Sequence, residues 1–436
     1  MSEVKNKSLS ILKFVVCSLI GIFMFFVSIN FNGKSTIPLD HITTIIRNAL
    51  GVTVQGYIVL VVVAIGAIMP FVNKTFNKSV KDIVFTIFKI IGLVCAVLYV
   101  FKLGPNDLLT NPDLLPYLFV TLCCNLCFLI PVGAIFLSFL TDYGLMEFVA
   151  VFLRPVMRKI WKTPGRSAID AVASFVGSYS LALIITDDMY KSGRYTKREA
   201  YIIATGFSTV STTFMVVVAK TLNLMDRWNF YFWTTLIITF VVTAIVARLY
   251  PTTKVPDEYM EGVTPNPEKI VTEKVFETAV SEAVSVAEKS GSIGKRVFNN
   301  FLNGLKVITN ILPTILSIGL VGMLIALYTP IFKIIGYIFF PFALLVRIPD
   351  ALLCAQSLAT TIAEMFLPAA FVVESALATR YVVAVSCISE LLFFSAVIPC
   401  ILSTKIPVKI VDLIILWVER LILSILLAGV VALIFL

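Results

Sequence analysis

The sequence predicts an all-α polytopic membrane protein, with about nine transmembrane helices plus two re-entrant hairpins in two inverted-topology repeats. Three observations carry that expectation. Of the 436 residues, 59% are hydrophobic and only 14% are charged, and the mean hydropathy is +0.97. A soluble domain has roughly 45–50% and about 25%, so this much apolar surface cannot be hidden inside a water-soluble particle. Second, apolar runs long enough to cross hydrocarbon recur along the chain. Third, five landmarks in the first half return in the second at a nearly constant offset. A soluble enzyme is excluded. The formal charge of +9 does not point to nucleic acid, because the basic residues lie between apolar runs, as they do beside a membrane.

A helix needs about 20 apolar residues to span roughly 30 Å of hydrocarbon. Nine runs meet that length, at about 10–29, 51–71, 82–102, 116–140, 200–222, 228–250, 305–329, 381–403 and 411–436. The first follows Lys5 and Lys7. It is too long for a signal-peptide core and lacks a small-x-small exit, so it reads as a membrane helix. The eight cysteines all fall in apolar runs and read as buried hydrophobes. Cys124 and Cys127 form a CxxC, but the single histidine, His41, leaves no set of metal ligands beside it.

Charge sets the expected topology. Lys74, Lys78 and Lys81 follow the second span. Asp107 and Asp113 follow the third, and Arg154, Arg158, Lys159, Lys162 and Arg166 the fourth. A cytoplasmic N-terminus places all of them on the preferred side. Segment 167–188 is flanked on both sides by basic clusters, the second being Lys191, Arg194, Lys197 and Arg198. It must therefore enter and leave through one face, as a re-entrant hairpin broken near Gly177-Ser178. Segment 144–161 reads as a helix along the membrane surface, with Leu145, Phe148, Val149, Val151 and Phe152 as its apolar face.

The same succession returns about 180–186 residues later: Pro131 and Pro313, Pro155 and Pro341, Asp170 and Asp350, Arg198 and Arg380, Trp233 and Trp417. The expected organisation is three N-terminal spans over 1–103, then a first repeat over 116–250. A cytoplasmic linker over 251–304 follows, and a second repeat over 305–436 contains the hairpin 350–374. The second repeat starts on the opposite side of the membrane, which makes the repeats inverted. Inverted repeats with broken helices carry unwound backbone to the bilayer midplane, where it must line a polar cavity. The linker carries eight acidic and six basic residues. Its amphipathic helix, up to Lys289, has Ile270, Val271, Val275, Phe276, Ala279 and Val280 on one face. It reads either as a solvated spacer or as a regulatory or partner-docking helix.

Ionisable groups at membrane depth are costly and point to function. Glu390 lies ten residues into an apolar run and reads as a substrate or cation ligand. Its repeat counterpart, Ser208, sits in Thr205-Gly206-Phe207-Ser208-Thr209-Val210-Ser211-Thr212-Thr213, where six of nine residues carry hydroxyls. The substrate-binding candidates are Gly177, Ser178, Tyr179, Ser208, Thr212, Gln356, Ser357, Glu364 and Glu390. Ser180, Thr205, Ser211 and Thr360 are the cation-binding candidates, since hydroxyls and broken-helix carbonyls are hard oxygen ligands that suit Na⁺. Asp170 and Asp350 read as caps of the hairpin helices, and Asp187 or Asp188 as a surface ion pair with Lys191 or Arg194. Arg420 reads as a partner for Glu390 or Glu364, and Asn125 and Asn310 as helix-to-helix contacts. No P-loop, HExxH or serine–histidine pair occurs, so ATP hydrolysis and nucleophilic catalysis are not expected, nor is any metal centre or cofactor other than Na⁺.

The stretch Asp170–Met215 and its counterpart Asp350–Ser395 resemble the nucleoside-recognition Gate domain. The whole layout resembles YjiH-type Gate-domain membrane proteins of bacteria and, more distantly, concentrative nucleoside transporters. The resemblance implies two opposed hairpins around a substrate site, with Na⁺ or H⁺ coupling. Glu390 resembles the acidic residue of the nucleoside carriers in the span after the second hairpin. Their Gln/Thr/Glu cluster at the first hairpin tip is replaced here by Gly177, Ser178 and Tyr179. The expected function is secondary transport of a small polar solute, nucleoside-like or amino-acid- or peptide-like, across a bacterial inner membrane. A non-transporting Gate-domain scaffold is the alternative. The expected partners are the solute and membrane lipid, without nucleic acid; a homo-oligomer or a second membrane subunit stays open.

Overall fold

The computed structural model describes residues 2–27, 29–31, 34–78, 80–111, 114–176, 179–210, 212–267 and 274–436. Hydrocarbon offers backbone amides no water, so a chain this apolar satisfies them inside helices. Among the described residues the extended elements are a short antiparallel ribbon, β1 (Ile29–Phe31) and β2 (Lys34–Thr36), in which Asn30 faces Ser35. The ribbon follows α1 (Ser2–Phe26). Next, α2 (Pro38–Val72) is two helices joined at Gly51, whose φ of +71° breaks the helical path and suits a residue without a Cβ. After α3 (Val80–Phe101) and the single turn α4 (Asn106–Thr110), a π-helical stretch over Tyr117–Cys123 leads into α5 (Cys124–Thr141).

The first half continues with α6 (Leu145–Val156), the pair α7 (Ser167–Val176) and α8 (Tyr179–Lys191), the pair α9 (Lys197–Gly206) and α10 (Thr212–Thr221), and α11 (Trp228–Val246). The linker contains α12 (Val275–Lys289). The second half is α13 (Ile293–Tyr328), α14 (Ile331–Leu345), α15 (Ala351–Leu358) with α16 (Leu367–Phe371), α17 (Leu377–Ser389) with α18 (Val397–Ser403), and α19 (Ile410–Phe435). Each half thus runs long helix, connecting helix, helical pair, interrupted helix, long helix. The connecting helix packs on the helical pair both times, α6 on α7 and α14 on α15. α7 and α8 pack against each other on either side of the expected break, while Gly177 and Ser178 lie outside the described residues.

Six described segments are long and apolar enough to cross a membrane: Pro38–Val72, Asp82–Phe101, Tyr117–Leu140, Met225–Val246, Ile293–Tyr328 and Ile410–Phe435. The nine expected spans need correcting in three places. The apolar part of α1 is the shorter Ser10–Phe26. The runs at 200–222 and 381–403, read as continuous spans, are each interrupted: α9 stops at Gly206 before α10 begins at Thr212, and α17 stops at Ser389 before α18 begins at Val397. In the first, β-branched and hydroxyl residues compete with the helix for backbone hydrogen bonds. In the second, Leu391 adopts φ +64°, a costly conformation for a side chain of its size that persists only where neighbours enforce it.

Small residues bring the long helices together. A Cβ on Gly66 or Gly92 would lie 1.8 Å from the Thr309 carbonyl oxygen or 2.0 Å from that of Pro313, so α2 and α3 approach α13 backbone to backbone, the usual solution where no hydrophobic force separates helix from lipid. The linker is not a solvated spacer. α12 buries Ala279, Ala283 and Ala287 against α1 and α6, and Arg154 donates two bonds of 2.7 Å to the carboxylate of Glu282. Before it, the chain lies along the start of α9, where the Lys197 amide donates to the Glu258 carbonyl at 2.8 Å and Arg198 Nε to that of Val255 at 2.7 Å.

Candidate functional site

The two interruptions lie where the halves meet. In the first half, Ser174 Oγ of α7 donates to the Thr209 carbonyl at 3.0 Å, tying the helical pair to the break after α9. In the second, the Phe394 amide donates to the Ile362 carbonyl at 2.8 Å and the Ser395 amide to that of Ala363 at 3.0 Å. Two backbone hydrogen bonds thus join the break after α17 to the one between α15 and α16. Both second-half breaks are capped by their own carboxylate. Glu364 Oε2 accepts from the Phe366 amide at 2.7 Å, and Glu390 Oε2 from the Leu392 amide at 2.8 Å.

Beneath the breaks sits one buried cation. Arg420 is fully buried on α19. Its Nε donates to the Ser389 and Glu390 carbonyls at 3.0 and 3.1 Å, Nη2 to Ser389 at 2.7 Å, and Nη1 to Thr243 Oγ1 at 3.1 Å. The Thr243 hydroxyl in turn lies 2.7 Å from the Gly206 carbonyl, the end of α9. The negative ends of the two interrupted helices therefore share one guanidinium, the second directly and the first through a threonine. The sequence pairs Arg420 with a carboxylate; its N–H groups go instead to carbonyls, which present fixed acceptors at a helix end.

A cavity of about 560 Å³ opens beside the breaks. Its inner end is formed by Tyr179, Val210, Thr213 and Phe214 from the first half and by Glu364, Met365, Phe393 and Ser395 from the second. Its outer end is polar, with Asp142, Asn300, Asn303 and Lys306. The lining residues of α13 run from Asn300 to Ile315, about 22 Å at 1.5 Å per residue, so the cavity is elongated along α13. At its mouth Asn300 Nδ2 donates to Asp142 Oδ2 at 2.9 Å.

Of the sequence candidates, this cavity gathers Tyr179 and Glu364. Ser208, Thr212 and Glu390 are buried outside its lining. Gln356 packs under Gly336 of α14, and Ser357 donates to its own helix at Cys354. Among the cation candidates, Thr205 and Thr360 donate to the carbonyls of Tyr201 and Ser357. Gly177, Ser178 and Ser211 lie outside the described residues, as does the side chain of Ser180. The expected caps act differently. Asp170 accepts from the Tyr195 hydroxyl at 2.7 Å, and Asp350 from Thr379 Oγ1 at 3.1 Å, so each acid fastens the start of a hairpin to the start of the interrupted helix that follows. Asp187 pairs with Lys191 and also accepts from the Lys405 amide at 2.7 Å. Asn125 and Asn310 do join helices, each to a basic residue that the sequence pattern does not single out, Arg47 and Lys89. The outer cavity residues escape it too, although Asn300, Asn303, Val307, Ile311 and Thr314 recur at three- and four-residue steps on one face of α13.

The fold and the cavity define a polytopic membrane protein in which two similarly ordered halves meet at interrupted helices. Its first half carries the Gate nucleoside-recognition domain, whose family model matches residues 123–225. The chain belongs to the same family as the uncharacterized protein BpOF4_10220 of Alkalihalophilus pseudofirmus OF4, to which it is 33% identical across 95% of its own length and 92% of that protein's. Two solved structures of CNTnw variants in an outward-facing state are also similar. Each is 17% identical, with TM-scores of 0.43 and 0.39 over 98% and 97% of this chain and 98% and 99% of theirs.

Proposed function

We propose that the protein is a secondary active transporter of a small polar organic solute, nucleoside-like or amino-acid- or peptide-like, working by alternating access between inverted halves in a bacterial inner membrane. The observation that carries this reading is the cavity itself: it extends about 22 Å along α13 and is lined by residues beside the interruptions of both halves. Backbone breaks at membrane depth are tolerated only where they line a cavity or are buried in protein, and a site shared by two halves changes its access when one half moves against the other.

Glu364 is the charged group at the inner end and selects a hydroxyl or ammonium donor on the solute. Tyr179, Phe214 and Phe393 offer aromatic faces to an apolar or heterocyclic part, and Thr213 and Ser395 add hydroxyls. A cytoplasmic N-terminus puts the mouth at Asp142 and Asn300 on the cytoplasmic side, which makes this an inward-open state. Either Na⁺ or H⁺ drives the cycle; the hydroxyls of Ser180, Thr205, Ser211 and Thr360 are the Na⁺ candidates.

Proteoliposomes of the full chain, offered labelled nucleosides, amino acids and dipeptides under an imposed Na⁺ or proton gradient, test the proposal. Gradient-dependent uptake of one solute class, lost in Glu364→Gln, is expected. Absence of uptake of every class under both gradients, from protein that remains folded, overturns it in favour of the scaffold reading.

A further inference from the structure

Glu390 is a charged group that the cavity does not use. It is fully buried where α17 ends, and it does not line the solute path. Oε2 accepts from the Leu392 amide, but Oε1 has no hydrogen-bond partner among the described residues. Arg420 lies within electrostatic reach, yet its donors are taken by carbonyls and by Thr243.

The other elements against α17 offer little to answer that charge. From α15 comes the Cys354 thiol; the residues of α16, Leu367–Phe371, include no ionisable group. From α11, Tyr231 directs its hydroxyl to the Ala384 carbonyl. The ionisable residue of α10, Lys220, pairs with Asp40, and α19 adds Glu419 beside Arg420. Cys387 lies one turn earlier on α17, and Glu364 is the second carboxylate in reach.

Charge balance turns these observations into a site. With both carboxylates ionised, Glu364, Glu390 and Arg420, all three buried, sum to one uncompensated negative charge. An unpaired buried charge costs several kcal/mol, and a carboxylate oxygen left without a donor adds its own desolvation penalty. One monovalent cation removes both costs. A metal ion needs several oxygens converging on it at once, whereas the observation at Oε1 is one missing donor. A proton needs one oxygen.

We propose that Glu390 binds a single proton on Oε1, at a site separate from the solute cavity and behind its wall. The proton brings the three-residue cluster to neutrality, and Arg420 supplies the countercharge in the part of the cycle when it has left. As a coupling site it rests on the transport reading above; as a proton site it does not.

Difference infrared spectroscopy on the purified full chain in nanodiscs tests the site without any solute. A protonated-carboxyl stretch that disappears as pH is raised is expected in the wild type. That component is expected to be wholly absent from Glu390→Gln, retained in Glu364→Gln and Glu419→Gln, and restored at a shifted frequency in Glu390→Asp. Glutamine has the shape of the protonated acid, and retained thermal unfolding shows that the variant is folded. Identical spectra in wild type and Glu390→Gln overturn the proposal. So does loss of the component in Glu364→Gln alone, or its removal by Na⁺ at constant pH, which would make the site a sodium ligand. Absence of solute uptake alongside an intact Glu390 signal would sink the transport reading and leave the proton site standing.

Discussion

The two halves share an order of elements but hold their breaks open by different chemistry. After α9 the interruption is neutral: no residue from Thr205 to Thr213 is ionisable, and the contacts are hydroxyl to carbonyl, as between Ser174 and Thr209. After α17 it is charged. Glu364 and Glu390 each cap a break, Arg420 holds the helix end, and Leu391 is kept at a left-handed φ. A neutral break costs little and can re-form its hydrogen bonds in more than one arrangement. A charged one is fixed by partners that are expensive to separate in low dielectric. The comparison assigns rigidity to the second half and adaptability to the first.

The largest effect is expected at Arg420. Arg420→Met leaves two helix-terminal carbonyls and the Glu390 carboxylate without their cation, a loss of about 3–5 kcal/mol. Thermal unfolding in detergent should show it as a fall in melting temperature far greater than any single hydroxyl change in the first half causes. Arg420→Lys keeps the charge but loses the fork that reaches Ser389, Glu390 and Thr243 together, and should fall between. Equal melting temperatures for Arg420→Met and wild type would erase the contrast between the halves.

Uptake sharpens the same contrast within the cavity. Glu364→Gln removes the charged acceptor from the inner end, and loss of a hydrogen bond to a charged group, about 1.5–3 kcal/mol, corresponds to roughly 10–100-fold in affinity. Thr213→Val, across the cavity, removes a neutral hydroxyl and should cost about threefold to tenfold. Initial rates at varied solute concentration give both numbers, and a larger penalty for Thr213→Val would put solute recognition in the first half.

Much of the architecture is legible in the residues, and what is not has a physical cause. Composition and apolar run length establish the membrane class. Glu364 stands out because a carboxylate in an apolar run is too costly to persist there without a partner or a task. The basic clusters at both ends of 167–188 mark off the segment in which α7 and α8 lie. The break after α17 is not legible: Glu390-Leu391-Leu392-Phe393-Phe394 contains neither glycine nor proline and reads as uninterrupted helix. It is held by Arg420, 30 residues away in sequence, and by the backbone hydrogen bonds from Phe394 and Ser395 to Ile362 and Ala363. Local pattern carries no signal for an interaction of that separation. Likewise Gln356 looks like a ligand by residue type alone, and only the close approach of α14 at Gly336 shows that it faces elsewhere.

Thr243 joins the two regimes. Thr243→Val removes the acceptor of Arg420 Nη1 and the donor to Gly206, with little change in volume. The expected loss is about 1–2 kcal/mol. A double-mutant cycle with Arg420→Lys should show coupling, because both residues act on one hydrogen-bonded set; additive losses would mean that the breaks are held independently.

The smallest effects are expected at the two acids that fasten each hairpin to its interrupted helix. Asp170 is buried and accepts one short bond from the Tyr195 hydroxyl, 2.7 Å. Asp350 makes longer bonds, 3.1 Å to Thr379 Oγ1 and 3.4 Å to the Ala376 amide. Asparagine can still accept with one oxygen, so each change weakens a charge-assisted bond without abolishing it, by about 0.5–1.5 kcal/mol. The shorter, more buried contact should lose more. Tyr195→Phe removes the first donor and Thr379→Val the second, so each acid and its partner should be non-additive in thermal unfolding. Because these fasteners occupy equivalent places and differ in geometry rather than in kind, they measure how far the halves are alike. A greater loss in Asp350→Asn than in Asp170→Asn would extend the rigidity of the second half from its breaks to the hairpin's root.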